Sequence, residues 1–340
     1  MQRRAFTLIE LLVVVAIIAL LLSILLPSLA GAREEGKKAK CLANLRSIAT
    51  ALQAYALQDR SEQPIPIHES MVRSCPYWEW RTVNWFAWGG RSGQQPFLTS
   101  AGSGLMLGAG DASNDRPQYE ARRRPLNQFV LTNINDADAH QLEWYHCPSD
   151  RGYPADPDVD DSPAANAERP CYDTLGNSYR ASLAMVTLIG GGDGGDSLGH
   201  LSYGPWGHRL SSLRSTSRTV LVGEPTFFNM IGRDDLPPPQ RNPVLMTGWH
   251  RRFMVSNLVF CDGSAAPQTA AKVYRFSPTA AREMNVFDLT MLARSVSWQL
   301  DCYPVAGARI WGDNDVWRST YGDAYDTTWP FAGRQENLGF

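Results

Sequence analysis

Between Phe6 and Leu26 the chain runs for 21 residues in which only Thr7, Glu10 and Ser23 are polar. At ~1.5 Å of rise per residue, a helix of that length crosses a ~30 Å hydrocarbon core. One end of the molecule is thereby committed to lipid, whatever the rest does. A secretory signal has an apolar core of roughly 7–15 residues and then small residues at a cleavage site. The run here is longer, and Pro27-Ser28-Leu29-Ala30-Gly31-Ala32 imitates such a site only weakly, so the segment reads as a retained stem. Glu10 needs a reason, because a carboxylate in a bilayer costs ~2.5–3.5 kcal/mol at mid-helix and less near the edge. It either meets a cation or reaches the headgroups.

Beyond the stem the chain must bury a core of its own. The 280 residues after position 60 are enough for one large core or two modest ones. With 44% hydrophobic residues, 28 glycines and 22 prolines, the composition is that of a globular head rich in turns. The first 40 residues hold six basic and three acidic groups, leaving 26 basic against 31 acidic, a net −5, for the remainder. A mildly acidic head offers no basic surface for a phosphate backbone, which argues against nucleic acid as a partner.

The helical pattern continues past Pro27. Leu42, Leu45, Ile48, Ala49, Leu52, Tyr55 and Ala56 recur at three- and four-residue steps and form one apolar stripe. The pattern predicts one helix from Phe6 to about Gln58, ~80 Å long, half membrane stem and half spine of the head. Arg33–Lys40, between the halves, reads as a solvated face at the membrane exit. Pro64 and Pro66 remove donors and end the helix within Ser61–Pro66. Later signals are short and β-like: Phe129–Thr132, Ala184–Ile189, Thr219–Val222, Val244–Thr247 and Leu258–Cys261, fenced by Gly, Pro, Asn and Asp. Asp262-Gly263 between strand-like runs marks a hairpin, since Gly accepts the positive φ of tight primed turns. The expected fold is α+β: a long N-terminal helix packed on an antiparallel β-sheet head with long loops.

The residues at the N-terminus resemble those of type IV pilins and type II secretion pseudopilins. A basic leader with Arg3 and Arg4 is followed by Phe6-Thr7-Leu8-Ile9-Glu10, an apolar helix, and Pro27 about twenty residues on. The resemblance implies a leader at 1–5, a transmembrane and spine helix at 6–60 and a periplasmic or extracellular head at 61–340. It implies cleavage by prepilin peptidase between Ala5 and Phe6, N-methylation of Phe6, and assembly in which Glu10 pairs with the Phe6 amine of a neighbouring copy. Ala5 stands where that family usually has Gly. Arg33, Lys37, Lys38 and Lys40 follow the span, against the usual cytoplasmic bias of basic residues. An outward head therefore rests on the resemblance.

Head segments are also similar to a group of large pseudopilin-like proteins known as a domain of unknown function. These segments are Cys41–Arg46, His146-Cys147-Pro148-Ser149-Asp150, Ser178-Tyr179, Ser215–Glu224, and His250 with Asp262-Gly263, where the spacing is eleven residues instead of the typical nine. The implied role is a structural subunit, polymerised with like or related pilin-type subunits, in a secretion pseudopilus or pilus-like fibre. It would be held once through the bacterial inner membrane and reach the cell surface if the fibre does.

Candidate chemistry is sparse. Asp156, Asp158 and Asp160 gather oxygens of the kind calcium takes, although the EF-hand pattern is not matched; some major pseudopilins hold calcium in a head loop. Otherwise no cofactor is expected. The six histidines lack H-E-x-x-H spacing, no G-x-S-x-G elbow occurs, and the Gly190–Asp196 loop lacks a Gly-Lys-Ser/Thr ending. The expectation is no enzyme; an open cleft joining His250 to Asp262 would be the sign of one. Cys41, Cys75, Cys147, Cys171, Cys261 and Cys302 would meet an oxidising compartment, and six thiols allow fifteen pairings. At least one disulfide is expected, while Cys41 and Cys261 read equally as buried thiols. Trp78, Trp80, Trp85, Phe86 and Trp88 crowd eleven residues. Exposed, they would suit a tethered or fibre-tip module that binds polysaccharide or secreted cargo; buried, they would fill a core.

Overall fold

Helix α1 runs without interruption from Leu8 to Gln58, 51 residues that pass straight through Pro27, a length of ~76 Å. Pro27 deprives the Ser23 carbonyl of its helical donor, a loss that membrane helices absorb by local adjustment; the Ser23 hydroxyl donates to the Leu20 carbonyl at 2.7 Å. Beyond Gln58 the Asp59 carboxylate accepts from the backbone N–H groups of Ser61 and Gln63 and turns the chain away before Pro64. The computed structural model describes residues 8–66, 68, 85–98, 104–105, 107–108, 117–131, 142–152, 169–182, 184–188, 199–203, 205, 209–213, 215–230, 246–270 and 298.

The two halves of α1 meet different surroundings. Every residue from 8 to 33 is exposed, including Leu8, Ile9 and Ile24 at 66% or more. From Cys41 onward one side closes: Cys41, Asn44, Leu45, Ile48, Ala49, Leu52 and Ala56 are buried. That stripe is the expected one, shifted so that Cys41 and Asn44 face inward and Leu42 lies at the margin. The charged stretch is not merely solvated. The Glu34 side chain reaches Ser149 and His250, and Arg252 donates to Glu35 at 2.6 Å.

The stripe lies on an antiparallel sheet. After a two-residue ribbon, β1 (Phe97–Leu98) with β2 (Gly104–Leu105), come α2 (Pro125–Val130), α3 (Cys171–Thr174) and β3 (Arg180–Ala181). A second ribbon follows, β4 (Ala184–Leu188) with β5 (Gly199–Tyr203), then β6 (Val220–Gly223), α4 (Pro225–Met230), β7 (Val255–Phe260) and β8 (Ala265–Thr269). The four-stranded sheet has order β3-β6-β7-β8 and every pairing is antiparallel. Its two faces are read off β7 with period two. Val259 packs with Leu45, Ile48 and Leu52 under the helix, whereas Leu258 and Phe260 join Phe227, Met230, Met254 and Trp298 on the other side. Edge strand β8 carries Pro267, a residue that a central strand would not tolerate.

Of the predicted strands, Ala184–Ile189, Thr219–Val222 and Leu258–Cys261 correspond to β4, β6 and β7. Of Val244–Thr247, Thr247 makes a single bridge to Phe253, and residues 244–245 lie outside the described residues. Phe129–Thr132 is a correction: Phe129 and Val130 end helix α2. Pro125 opens that helix with a φ already helical, and buried polar groups override the β preference of the run. Asn127 bonds Gly90 and Ala121, and the Arg124 guanidinium donates to the carbonyls of Tyr119, Phe86, Gly89, Leu107 and Leu175. Arg124 thus ties together loops that no strand ladder reaches. Gly176 (φ +81°) is needed there, because a Cβ would stand 1.8 Å from the Arg91 carbonyl oxygen.

Leu45→Ala should lower the unfolding free energy of the detergent-solubilised full chain by ~2–5 kcal/mol, as large-to-small changes in a tight core do. Leu22→Ala, on the exposed half of the same helix, should leave the denaturant midpoint of the head unchanged. Equal effects would contradict the division of α1.

Candidate functional site

Four segments far apart in sequence converge under α1. Cys41 comes from the helix and Cys147 from the turn after the short helical turn at 142–145. Glu224 directly follows β6, and His250 sits in the tight turn that leads to β7. Their Sγ, carboxyl and imidazole atoms all lie within 4.8 Å of one another, and all four residues are buried. Cys41 donates to Glu224 Oε1 at 3.1 Å, His250 Nε2 is 3.0 Å from the same oxygen and 3.6 Å from Cys147 Sγ.

A ring of polar groups holds these side chains in place. Asn257, on β7, donates to Glu224 Oε1 at 2.8 Å and reaches Cys41 Sγ at 3.5 Å. The Tyr179 hydroxyl is 3.5 Å from Cys41 Sγ. On the far side of the imidazole, His250 Nδ1 faces Glu34 Oε1 at 3.2 Å, and Ser149 donates to that oxygen at 2.5 Å. Asp150 fixes the Cys147 turn. Its carboxylate accepts from Gly152 N, Cys171 N, Tyr172 N and Ser178 Oγ, and Ser178 Oγ in turn accepts from Cys147 N at 3.0 Å.

Burial dominates the electrostatics. It pushes the Cys41 and Cys147 thiols above their ordinary values, with the nearby Glu224 adding to the rise. For His250 desolvation opposes the charge, yet hydrogen bonds with Cys41 and Glu224 hold it up at about 10. Burial pushes Asp150 up to about 6 while its donors pull the other way. Its carboxyl group serves as acceptor for all four. Desolvation of Glu34 is outweighed by Ser149, His250 and Lys37, so its pKa lies below the ordinary one. One atom stands out: Glu224 Oε2 is buried with no hydrogen-bond partner, on a residue 0% exposed. The donor set, two thiols, an imidazole and a carboxyl group, is of the kind that transition metals take.

Glu10 lies in the exposed first turn of α1. Asp262 and Gly263 occupy the turn between β7 and β8. That turn is a three-residue loop, Cys261–Gly263, closed by Phe260 N to Ser264 O and by Gly263 N to Phe260 O. Gly263 has φ +85° and Asp262 is not left-handed, so the loop ends in a glycine bulge instead of a primed two-residue turn. The Asp262 carboxylate accepts from Ser264, while His250 engages Glu34 and Glu224 in the interior. Ala5, Phe6, Asp156, Asp158, Asp160, Trp78, Trp80, Cys75 and Cys302 lie outside the described residues. Cys41, Cys147, Cys171 and Cys261 are free thiols. Trp88, Trp249 and Trp298 are core residues, and Trp85 is partly covered, with the Arg180 guanidinium 3.6 Å over its ring.

The cluster was not evident in the sequence, because Cys41 read as a disulfide partner or a buried thiol and the histidines lack helical metal spacing. A usable signal existed: Cys41 falls three and four residues before Asn44 and Leu45, on the inward stripe.

Residues 1–26 match the family model described as the prokaryotic N-terminal methylation motif. The chain thus carries a prepilin-type motif, and with its long apolar helix it is consistent with the pilin and pseudopilin family; that helix fits a single-pass inner-membrane anchor. No curated protein and no solved structure matches the chain.

Asp150→Ala should lower stability by at least ~2 kcal/mol, since it strands four donors that now share one buried acceptor. Asp173→Ala, which breaks the partly exposed contact with Arg91 at 3.2 Å, should cost less than ~1 kcal/mol. Denaturant unfolding of the two variants compares them, and equal losses would contradict the role given to Asp150.

Proposed function

We propose that this chain is a structural subunit, a pilin or pseudopilin, of a type II secretion pseudopilus or type IV pilus-like fibre, with no chemistry of its own to perform. Prepilin peptidase cuts it between Ala5 and Phe6, methylates Phe6, and leaves the stem to anchor the head in the inner membrane with the head on the periplasmic side. The observation that carries this reading is the methylation motif over residues 1–26, continuous with a helix whose residues 8–33 are exposed on every side.

A helix apolar all round does not stay in water. In lipid, association of such stems is driven by packing and by relief of polar groups, not by the hydrophobic effect. Glu10 supplies the polar group: its charge is costly among acyl chains, and the terminal amine at Phe6 of a neighbouring copy offsets it. The same contact fixes the axial stagger between subunits, because Phe6 and Glu10 are four residues apart in the chain. The head, rigidly continuous with the stem through α1, then sets the outer surface of the fibre.

Intact-mass measurement on membrane-extracted protein should find a chain that begins at Phe6 and carries one methyl group. Retention of Met1–Ala5 in cells with active prepilin peptidase would contradict the reading. Glu10→Ala should insert into the membrane normally but fail to enter fibres, as judged by shearing and immunoblotting; normal incorporation would count against the pairing.

A further inference from the structure

We propose that Cys41, Cys147, Glu224 and His250 bind a divalent transition metal ion in a closed tetrahedral site, zinc by its donor chemistry, and that this ion fastens the spine helix to the sheet. The assignment is independent of whether the chain polymerises.

Geometry comes first. Zn–S bonds of ~2.3 Å and Zn–N or Zn–O bonds of ~2.0–2.1 Å give tetrahedral edges of ~3.3–3.8 Å. Three edges of the cluster are 3.0, 3.1 and 3.6 Å, and no pair of donor atoms is farther apart than 4.8 Å. All four positions are filled by protein and all four residues are buried, as in structural sites, which leave no position for a substrate or water. Two sulfurs exclude calcium and magnesium, whose ligands are oxygens, and the mixture of thiolate, imidazole and carboxylate in a tetrahedral arrangement selects zinc among the abundant ions.

A metal-bound histidine almost always presents its second nitrogen to a carboxylate or carbonyl, which fixes the ring and raises its basicity. His250 Nε2 points into the cluster while Nδ1 faces Glu34 Oε1 at 3.2 Å, and Glu34 is itself held by Ser149. Asn257 and Tyr179 place donors against Cys41 Sγ, where they stabilise a thiolate. Glu224 carries a buried carboxyl group at zero exposure, with Oε2 lacking a hydrogen-bond partner; an unpaired buried charge is costly, and a cation bound at Oε1 offsets it.

Loading is a ligand exchange without redox. The zinc ion sheds its waters, each thiol and any protonated His250 ring releases one proton to solvent so that a neutral imidazole binds through Nε2, and four bonds to the ion form. Cys41 and Cys147 have one competing fate: an oxidant that removes two electrons and two protons would join them as a disulfide and destroy the site.

The test uses the full chain extracted in mild detergent and desalted over a weak chelator. Elemental analysis should find one zinc per chain. Cys41→Ala and His250→Ala should lose it, while Cys261→Ala, which removes a buried thiol outside the cluster, should keep it. Because those variants risk misfolding, two measurements keep the wild-type arrangement under test. Cobalt exchanged into the wild-type chain should show a sulfur-to-metal charge-transfer band and the intense visible bands of tetrahedral coordination. Glu34→Gln, which leaves all four ligands in place, should weaken zinc ~10–100-fold in competition with a chromogenic chelator, the usual cost of losing an outer partner. The proposal is overturned by a zinc-free chain that also fails to take up added zinc. A Cys41–Cys147 disulfide in the isolated protein, an octahedral cobalt spectrum without sulfur bands, or full zinc content in Cys41→Ala would overturn it equally.

Discussion

A single rod has to satisfy two solvents. Its first half, residues 8–33, is predominantly apolar and exposed around the whole circumference, and its second half buries one stripe of seven residues. An α-helix can do both because its backbone hydrogen bonds are internal, so the side chains alone decide what each length faces. Everything downstream inherits the axis of that rod. The sheet is laid across its inner stripe, the Cys147 and His250 turns close over its middle, and Glu34 and Glu35 extend the contact toward the membrane.

Among the described residues, regular secondary structure accounts for little of what holds the head. The main sheet has four strands, two of them at its edges, and much of the described chain between them is turn and loop. In such a body the backbone carbonyls and amides need partners that a ladder does not provide, and buried side chains supply them. Arg124 gathers five carbonyls, Asp150 gathers four donors, and Asn127 bridges Gly90 and Ala121. These groups act at specific positions, whereas the apolar clusters on the two sheet faces tolerate exchange of one hydrophobe for another more readily.

The elements legible in the sequence were those with local signals. The 51-residue helix announced itself by length, apolarity and a three-to-four residue stripe, and Gly263 by its position after Asp262 between two apolar runs. Where several long-range contacts set the conformation, the sequence was silent or misleading. Phe129-Val130 has the composition of a strand but is drawn into a helix by Arg124 and Asn127, whose partners lie as far away as Leu175. The buried cluster was hidden for the same reason: Cys147 and His250 are 103 residues apart, and no spacing rule spans such a separation. Segments singled out separately, from Cys41-Leu42 to His250, proved to be one place in the fold.

Helix α1 is one unbroken rod that joins the head to its membrane half. Pulsed electron resonance distances between spin labels on noncanonical residues at Ile18 and Thr50, both outward-facing on α1, measure this in nanodiscs. The 32 intervening steps predict one narrow distribution near ~48 Å. A broad distribution, or one centred well below that value, would mean that the chain bends at Pro27 or in the Arg33–Lys40 stretch, and would contradict the unbroken rod.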